Sequence, residues 1–99
     1  MKPFVLTVKA KSDLVSIALF TQHRWGKEQR NIYLKQFDES FFLLANTPDI
    51  GKPCNEIKDS YRKFPLGSHI IFYRKLTNQK IKIVRILHKN MDVAPFFGA

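Results

Sequence analysis

The stretch YRKFPLGSHIIFYRKLTNQKIKIVRILHKNMD, Tyr61–Asp92, decides the fold. Ser68–Leu76 and Lys80–His88 are rich in β-branched and aromatic residues, the types that fit a pleated, half-buried surface. Thr77-Asn78-Gln79 reads as the turn between them. Upstream, Pro65-Leu66-Gly67 reads as another turn, since Pro65 presets its φ and Gly67 accepts a positive one. That leaves Ser60–Phe64 as a preceding strand. Three strands joined by such short links predict an antiparallel meander. Strict alternation along the last strand sets Val84, Ile86 and His88 on one face, and Ile81, Ile83, Arg85 and Leu87 on the other. Both faces are then partly apolar, whereas a sheet covered on one side alternates more cleanly. Part of the second face is expected to be covered by the Phe96-Phe97 tail, by a partner chain, or by both.

The pattern before Tyr61 is different. Phe4–Val8 reads as a short strand with Pro3 suited to an edge. Ser12 is the expected cap of a first helix, with Asp13 facing the positive end of its dipole. Leu14, Ile17, Ala18, Thr21 and Trp25 recur at helical spacing, which predicts Trp25 as a core anchor. Gly26 suits a left-handed stop. A second helix, Lys27–Asn46, carries Tyr33, Phe37, Phe41 and Leu44 on one stripe, joined by Leu34 and Ala45, and Pro48 ends it. So short a link predicts an antiparallel helical hairpin. Asp49–Asp59 reads as a polar loop, with Cys54 a bystander in it. The predicted class is a two-layer α+β domain: an N-terminal strand, the helical hairpin, then the meander, with Phe4–Val8 beside the last strand.

Ninety-nine residues fit one domain, 1–99. A single cysteine, Cys54, excludes an internal disulfide and has no zinc-finger spacing around it, so a reducing cytoplasm is the expected setting. Neither a signal peptide nor a membrane span is predicted. The net charge of +9 is unevenly placed. Acids are scattered from Asp13 to Asp59, then none occurs until Asp92, while Arg62, Lys63, Arg74, Lys75, Lys80, Lys82, Arg85 and Lys89 fill the interval. Such a surface suits nucleic acid, an acidic protein, or a site beside nucleic acid.

The order and spacing of several pieces resemble the ParE toxins of the RelE/ParE superfamily. They are a first helix ending in Trp25-Gly26, a second closing on Leu44-Ala45-Asn46-Thr47-Pro48, then Ile50-Gly51-Lys52. The most specific are Tyr61-Arg62, His69-Ile70-Ile71-Phe72-Tyr73-Arg74, Ile83-Val84-Arg85-Ile86-Leu87-His88 and Met91-Asp92. The resemblance implies the toxin of a type II toxin-antitoxin system, neutralised by a ParD-like antitoxin whose extended C-terminal part wraps it. It implies DNA gyrase as the target, with nucleic acid reached only through gyrase or the antitoxin. Neither metal nor cofactor is implied. Arg74, Arg85, His88, Met91, Asp92, Phe96 and Phe97 are the expected target surface, with the basic sheet beside an apolar anchor. Trp25, Arg62, Tyr73, Arg74, Lys82 and Arg85 are the expected antitoxin contacts.

The rival inside the superfamily is a RelE-like ribosome-dependent mRNA endonuclease. That chemistry needs a group to activate the ribose 2′-OH, another to protonate the leaving oxygen, and cations for the phosphate. Arg62, Arg74 and Arg85 supply cations, and His69, His88, Tyr61 and Tyr73 are proton carriers by type. Relatives that cleave RNA commonly place a Tyr or His near the C-terminus, where this chain has Phe96 and Phe97, rings that move no proton. No catalytic residue is therefore assigned. A simple basic nucleic-acid-binding module is the other rival, although no basic recognition helix stands out.

Overall fold

The computed structural model describes residues 2–97, so Gly98 and Ala99 of the tail lie outside the described residues. The chain runs β1 (Phe4–Leu6), α1 (Val8–Trp25), α2 (Lys27–Asn46), a 3₁₀ turn (Pro48–Ile50), β2 (Lys52–Pro53), β3 (Tyr61–Leu66), β4 (His69–Lys75), β5 (Ile81–His88) and a closing 3₁₀ turn (Ala94–Phe97). The strands form one sheet in the order β1-β5-β4-β3-β2. β1 is parallel to β5, and the rest are antiparallel, so the meander and the placing of the first strand beside the last are as expected.

Several local expectations need correction. The first helix begins at Val8, not after Ser12. Thr7 is its cap: the Thr7 hydroxyl accepts from the Ala10 N–H at 3.0 Å and donates to the Val84 carbonyl at 2.7 Å. One side chain thus closes the helix end and fastens it to β5. Gly26 sits at φ +95, ψ 172, a region open to glycine alone rather than the left-handed helical one. Its N–H reaches the Gln22 carbonyl and its carbonyl receives the Arg30 N–H, so one residue ends α1 and starts α2. Pro65 lies within β3 opposite Ile70, and the hairpin turn is Gly67-Ser68. A proline fits there because β2 pairs only with Arg62 and Lys63, so the strand's other edge is open at Pro65. The polar loop contains β2, and its Cys54 is fully buried.

The decisive difference is a bulge. Phe72 is opposite Arg85 and Tyr73 is opposite Ile83, so Val84 is an extra residue in β5. The extra residue flips the parity. Ile81, Ile83 and Ile86 all face the helices and join Phe37, Phe41, Leu44, Ile71 and Tyr73 in the main core. Leu87 faces the other side, with Phe72 and Cys54, under Tyr61, Phe96 and Phe97. The tail therefore covers part of the second face: Phe97 meets Phe72 and Tyr61 edge-to-face, at 5.1 and 5.7 Å between centroids. No helix among the described residues is long and apolar enough to cross a membrane.

Candidate functional site

β1 stops opposite Ile83, while β5 continues to His88. Beyond Val84 the outer edge of β5 has no strand neighbour among the described residues, and α1 stands over it. The result is a groove of about 880 Å³ between α1 and the open half of β5. Its wall is the last two turns of α1. Phe20 and Trp25 stand there 60% exposed each, edge-to-face at 6.3 Å, with the Arg24 guanidinium 5.2 Å from the indole. Trp25 is thus not the core anchor that helical spacing predicts. α1 ends at Trp25 and the chain turns away at Gly26, so the ring meets only its helix neighbours Phe20 and Arg24 and stays mostly exposed.

One end of the groove is polar. Asp13, one and a half turns into α1, grips Arg85: Nε donates to Oδ2 and Nη2 to Oδ1, both at 2.8 Å, and the Ile86 N–H donates to Oδ2 at 2.9 Å. Each of the two side chains is only 13% exposed, and the carboxylate raises the Arg85 pKa. Asp13 therefore does not serve the α1 dipole, as its place in the sequence suggests. It caps the open edge of β5 instead. The Arg85 guanidinium also lies 5.2 Å from the Phe96 ring, so Arg85 joins the groove to the tail.

His69 and His88 face each other across β4 and β5, with ring centroids 5.4 Å apart. The Tyr33 hydroxyl contacts the Leu66 carbonyl at 3.1 Å and His69 Nδ1 at 2.8 Å. With the phenolic proton on Leu66, His69 carries its proton on Nδ1 and leaves Nε2 as a lone pair. The Asn90 N–H donates to His88 Nδ1, so neutral His88 carries its proton on Nε2. Burial, and then His88, lower the His69 pKa below its usual 6.5. Burial raises the Tyr33 pKa.

The expected target residues split between the two faces. His88 and Met91 line the groove, Arg74 and Phe97 are on the tail side, and Arg85 and Phe96 lie at the boundary. Asp92 is exposed. Of the expected antitoxin contacts, Trp25 is in the groove and Lys82 is opposite Arg74. Arg62 is held by the Gly51 and Asp49 carbonyls and by the Asp49 carboxylate at 3.5 Å. Tyr73 must be withdrawn. Its ring is 0% exposed, its hydroxyl donates to the Pro48 carbonyl and accepts from the Gly51 N–H, and a Cβ on Gly51 would overlap it. Sequence reasoning passed over Phe20, Tyr33 and Asp13. Phe20 was detectable as a large ring off the α1 stripe.

Comparison with known proteins agrees with this architecture. The profile of the family described as the ParE toxin of the type II toxin-antitoxin system parDE matches residues 4–93. Toxin ParE1 of Caulobacter vibrioides is 34% identical over 98 residues, covering 99% of this chain and 100% of that protein. Toxin ParE1 of Mycobacterium tuberculosis is 39% identical over 90 residues, covering 91% and 92%. Among solved structures, a chain of the chromosomal ParDE system from P. aeruginosa superposes with a TM-score of 0.72 at 21% identity, covering 86% of this chain and 92% of its own. A helical hairpin capped onto a bulged sheet, and a sequence that aligns with those toxins almost end to end, place this chain in the ParE toxin family of type II toxin-antitoxin systems.

Proposed function

We propose that this toxin acts without catalysis, by binding DNA gyrase and so blocking replication, and that a ParD-like antitoxin in the same cytoplasm neutralises it. The observation that carries the non-catalytic part is the tail. RNA-cleaving relatives commonly place a Tyr or His near the C-terminus, whereas Phe96 and Phe97 pack on the sheet here as apolar rings. Tyr73, the tyrosine nearest the centre of the sheet, has its hydroxyl sealed in two hydrogen bonds. The target surface is then Arg74, Arg85, Phe96 and Phe97, with His88, Met91 and Asp92 continuing it toward the groove. Purified toxin should inhibit gyrase supercoiling and leave mRNA intact on translating ribosomes. Supercoiling untouched, with mRNA cut, would sink the reading.

For the antitoxin, the groove beside Trp25 and Phe20 suits the apolar side of an amphipathic helix. The cations Arg62, Arg74, Lys82 and Arg85 would speed its approach more than they tighten the complex. Co-expression with the neighbouring short gene should yield a co-purifying pair. Separate elution at low salt counts against it. The Tyr33–His69–His88 cluster favours a second reading, RNA cleavage in the groove. There His69 Nε2 would accept a proton and His88 Nε2 would give one, and the same mRNA assay decides it.

A further inference from the structure

On the sheet face that carries the tail, four cations form a row. Lys52 is opposite Lys63 across β2 and β3, and Arg74 is opposite Lys82 across β4 and β5. Directly opposite residues share a face. Lys63 is also opposite Phe72, and Arg74 follows Phe72 by two positions, so all four lie on the side of Phe72 and Phe97. Strands lie ~4.8 Å apart, so from β2 to β5 the row crosses about 14 Å. Arg62, Lys75 and Arg85 are each tied to an aspartate. Lys52, Lys63, Arg74 and Lys82 have no hydrogen-bonded or ion-paired partner among the described residues. The charge of the face is therefore left for something outside the chain.

We propose that this row binds the sugar–phosphate backbone of duplex DNA. At ~3.4 Å of axis per phosphate, the row faces about four phosphates of one strand. Single strands are held by bases stacking on exposed rings, whereas the rings of this face are buried or half-buried against one another. Phe72 is 1% exposed, and Tyr61 and Phe97 are packed edge-to-face. An acidic peptide would need apolar seats beside the charges, and the tail already fills the apolar part of the face. The choice of DNA among polyanions rests on the gyrase reading, since gyrase holds duplex DNA. Toxin bound there would touch enzyme and DNA together.

The test is fluorescence anisotropy of purified toxin with a short DNA duplex, the matching RNA duplex and a polyglutamate peptide, from ~50 to ~200 mM salt. The logarithm of the DNA affinity should fall with that of salt at a slope of about −3 to −4. Lys63→Gln/Arg74→Gln/Lys82→Gln should bring that slope to within about 1 of zero. Lys11→Gln/Lys27→Gln/Lys35→Gln, which removes as much charge from the exposed helices, should leave it unchanged. Equal losses in the two variants would reduce the effect to net charge and overturn the proposal, as would tighter binding to RNA or to polyglutamate. Should the first variant fail to melt cooperatively, Arg74→Gln alone should change the slope by about 1, and no change overturns the proposal. Supercoiling is read separately. Gyrase inhibition without DNA binding overturns this inference and spares the gyrase reading, while DNA binding without inhibition supports this inference and sinks that reading.

Discussion

Asp13 satisfies Arg85 twice and the Ile86 N–H once, with both side chains nearly out of water. Asp13→Ala leaves an unpaired cation and a bare N–H at the open edge of β5. The expected loss is about 3 kcal/mol. In a domain of this size it lowers the melting midpoint by roughly 12–24 °C. A fall of only a few degrees in a thermal melt would make the pair no better than a surface contact. His69 gives a pH prediction. Its folded-state pKa lies below 6.5, so the folded state binds the proton less tightly than the unfolded chain does. The groups facing it are His88 on β5, Asp13 on α1 and Tyr33 on α2. Its contribution to stability is complete above pH ~6.5 and falls as acid takes the pH below that value. Denaturant midpoints at pH ~7.5 and ~5.5 should differ in the wild type and differ less in His69→Gln. An equal acid loss in both proteins would acquit His69. Neither feature was legible beforehand. Asp13 and Arg85 are 72 residues apart, and no local signal says which acid an arginine will meet. Helical spacing put Trp25 on the buried stripe because periodicity does not record where the next element turns away.

Among the elements, the long second helix and the meander were readable because their periodicities are sustained. Phe37, Phe41 and Leu44 are buried as their spacing requires. Boundaries were misread where one residue served two elements, as Thr7 and Gly26 do. The bulge was invisible for a simpler reason. Alternation assumes one residue per step, and the apolar run Ile83, Val84, Ile86, Leu87 fits either phase. The doubly apolar strand did foretell a partly covered second face, and the tail covers that part. Truncation after Asp92 removes Phe96 and Phe97, both half-buried, and uncovers Phe72 and Leu87. The expected cost is about 2–3 kcal/mol, seen as a lower melting midpoint with cooperative unfolding retained. If the truncated protein also binds antitoxin but spares gyrase, the tail belongs to the target surface. If it is unfolded at room temperature, the tail is core.

At the scale of the whole molecule, the chain's one tryptophan stands in the groove, 60% exposed. Its fluorescence should shift to the blue when antitoxin fills the groove and should not shift when DNA binds the opposite face. An unmoved spectrum in a verified toxin–antitoxin complex would place the antitoxin elsewhere. The sheet also has a temporal consequence. Phe4–Leu6 is made long before its ladder partner, Ile81–Ile83. Thr7, which caps α1, likewise waits for Val84. At ~5–20 residues per second, synthesis of the stretch between the two strands takes roughly 4–15 s. Throughout that time β1 has no strand to join, and α1 has no β5 to stand over. Groove, cationic row and tail all depend on β5, so the surfaces proposed for target, DNA and antitoxin appear together, once β5 has been made.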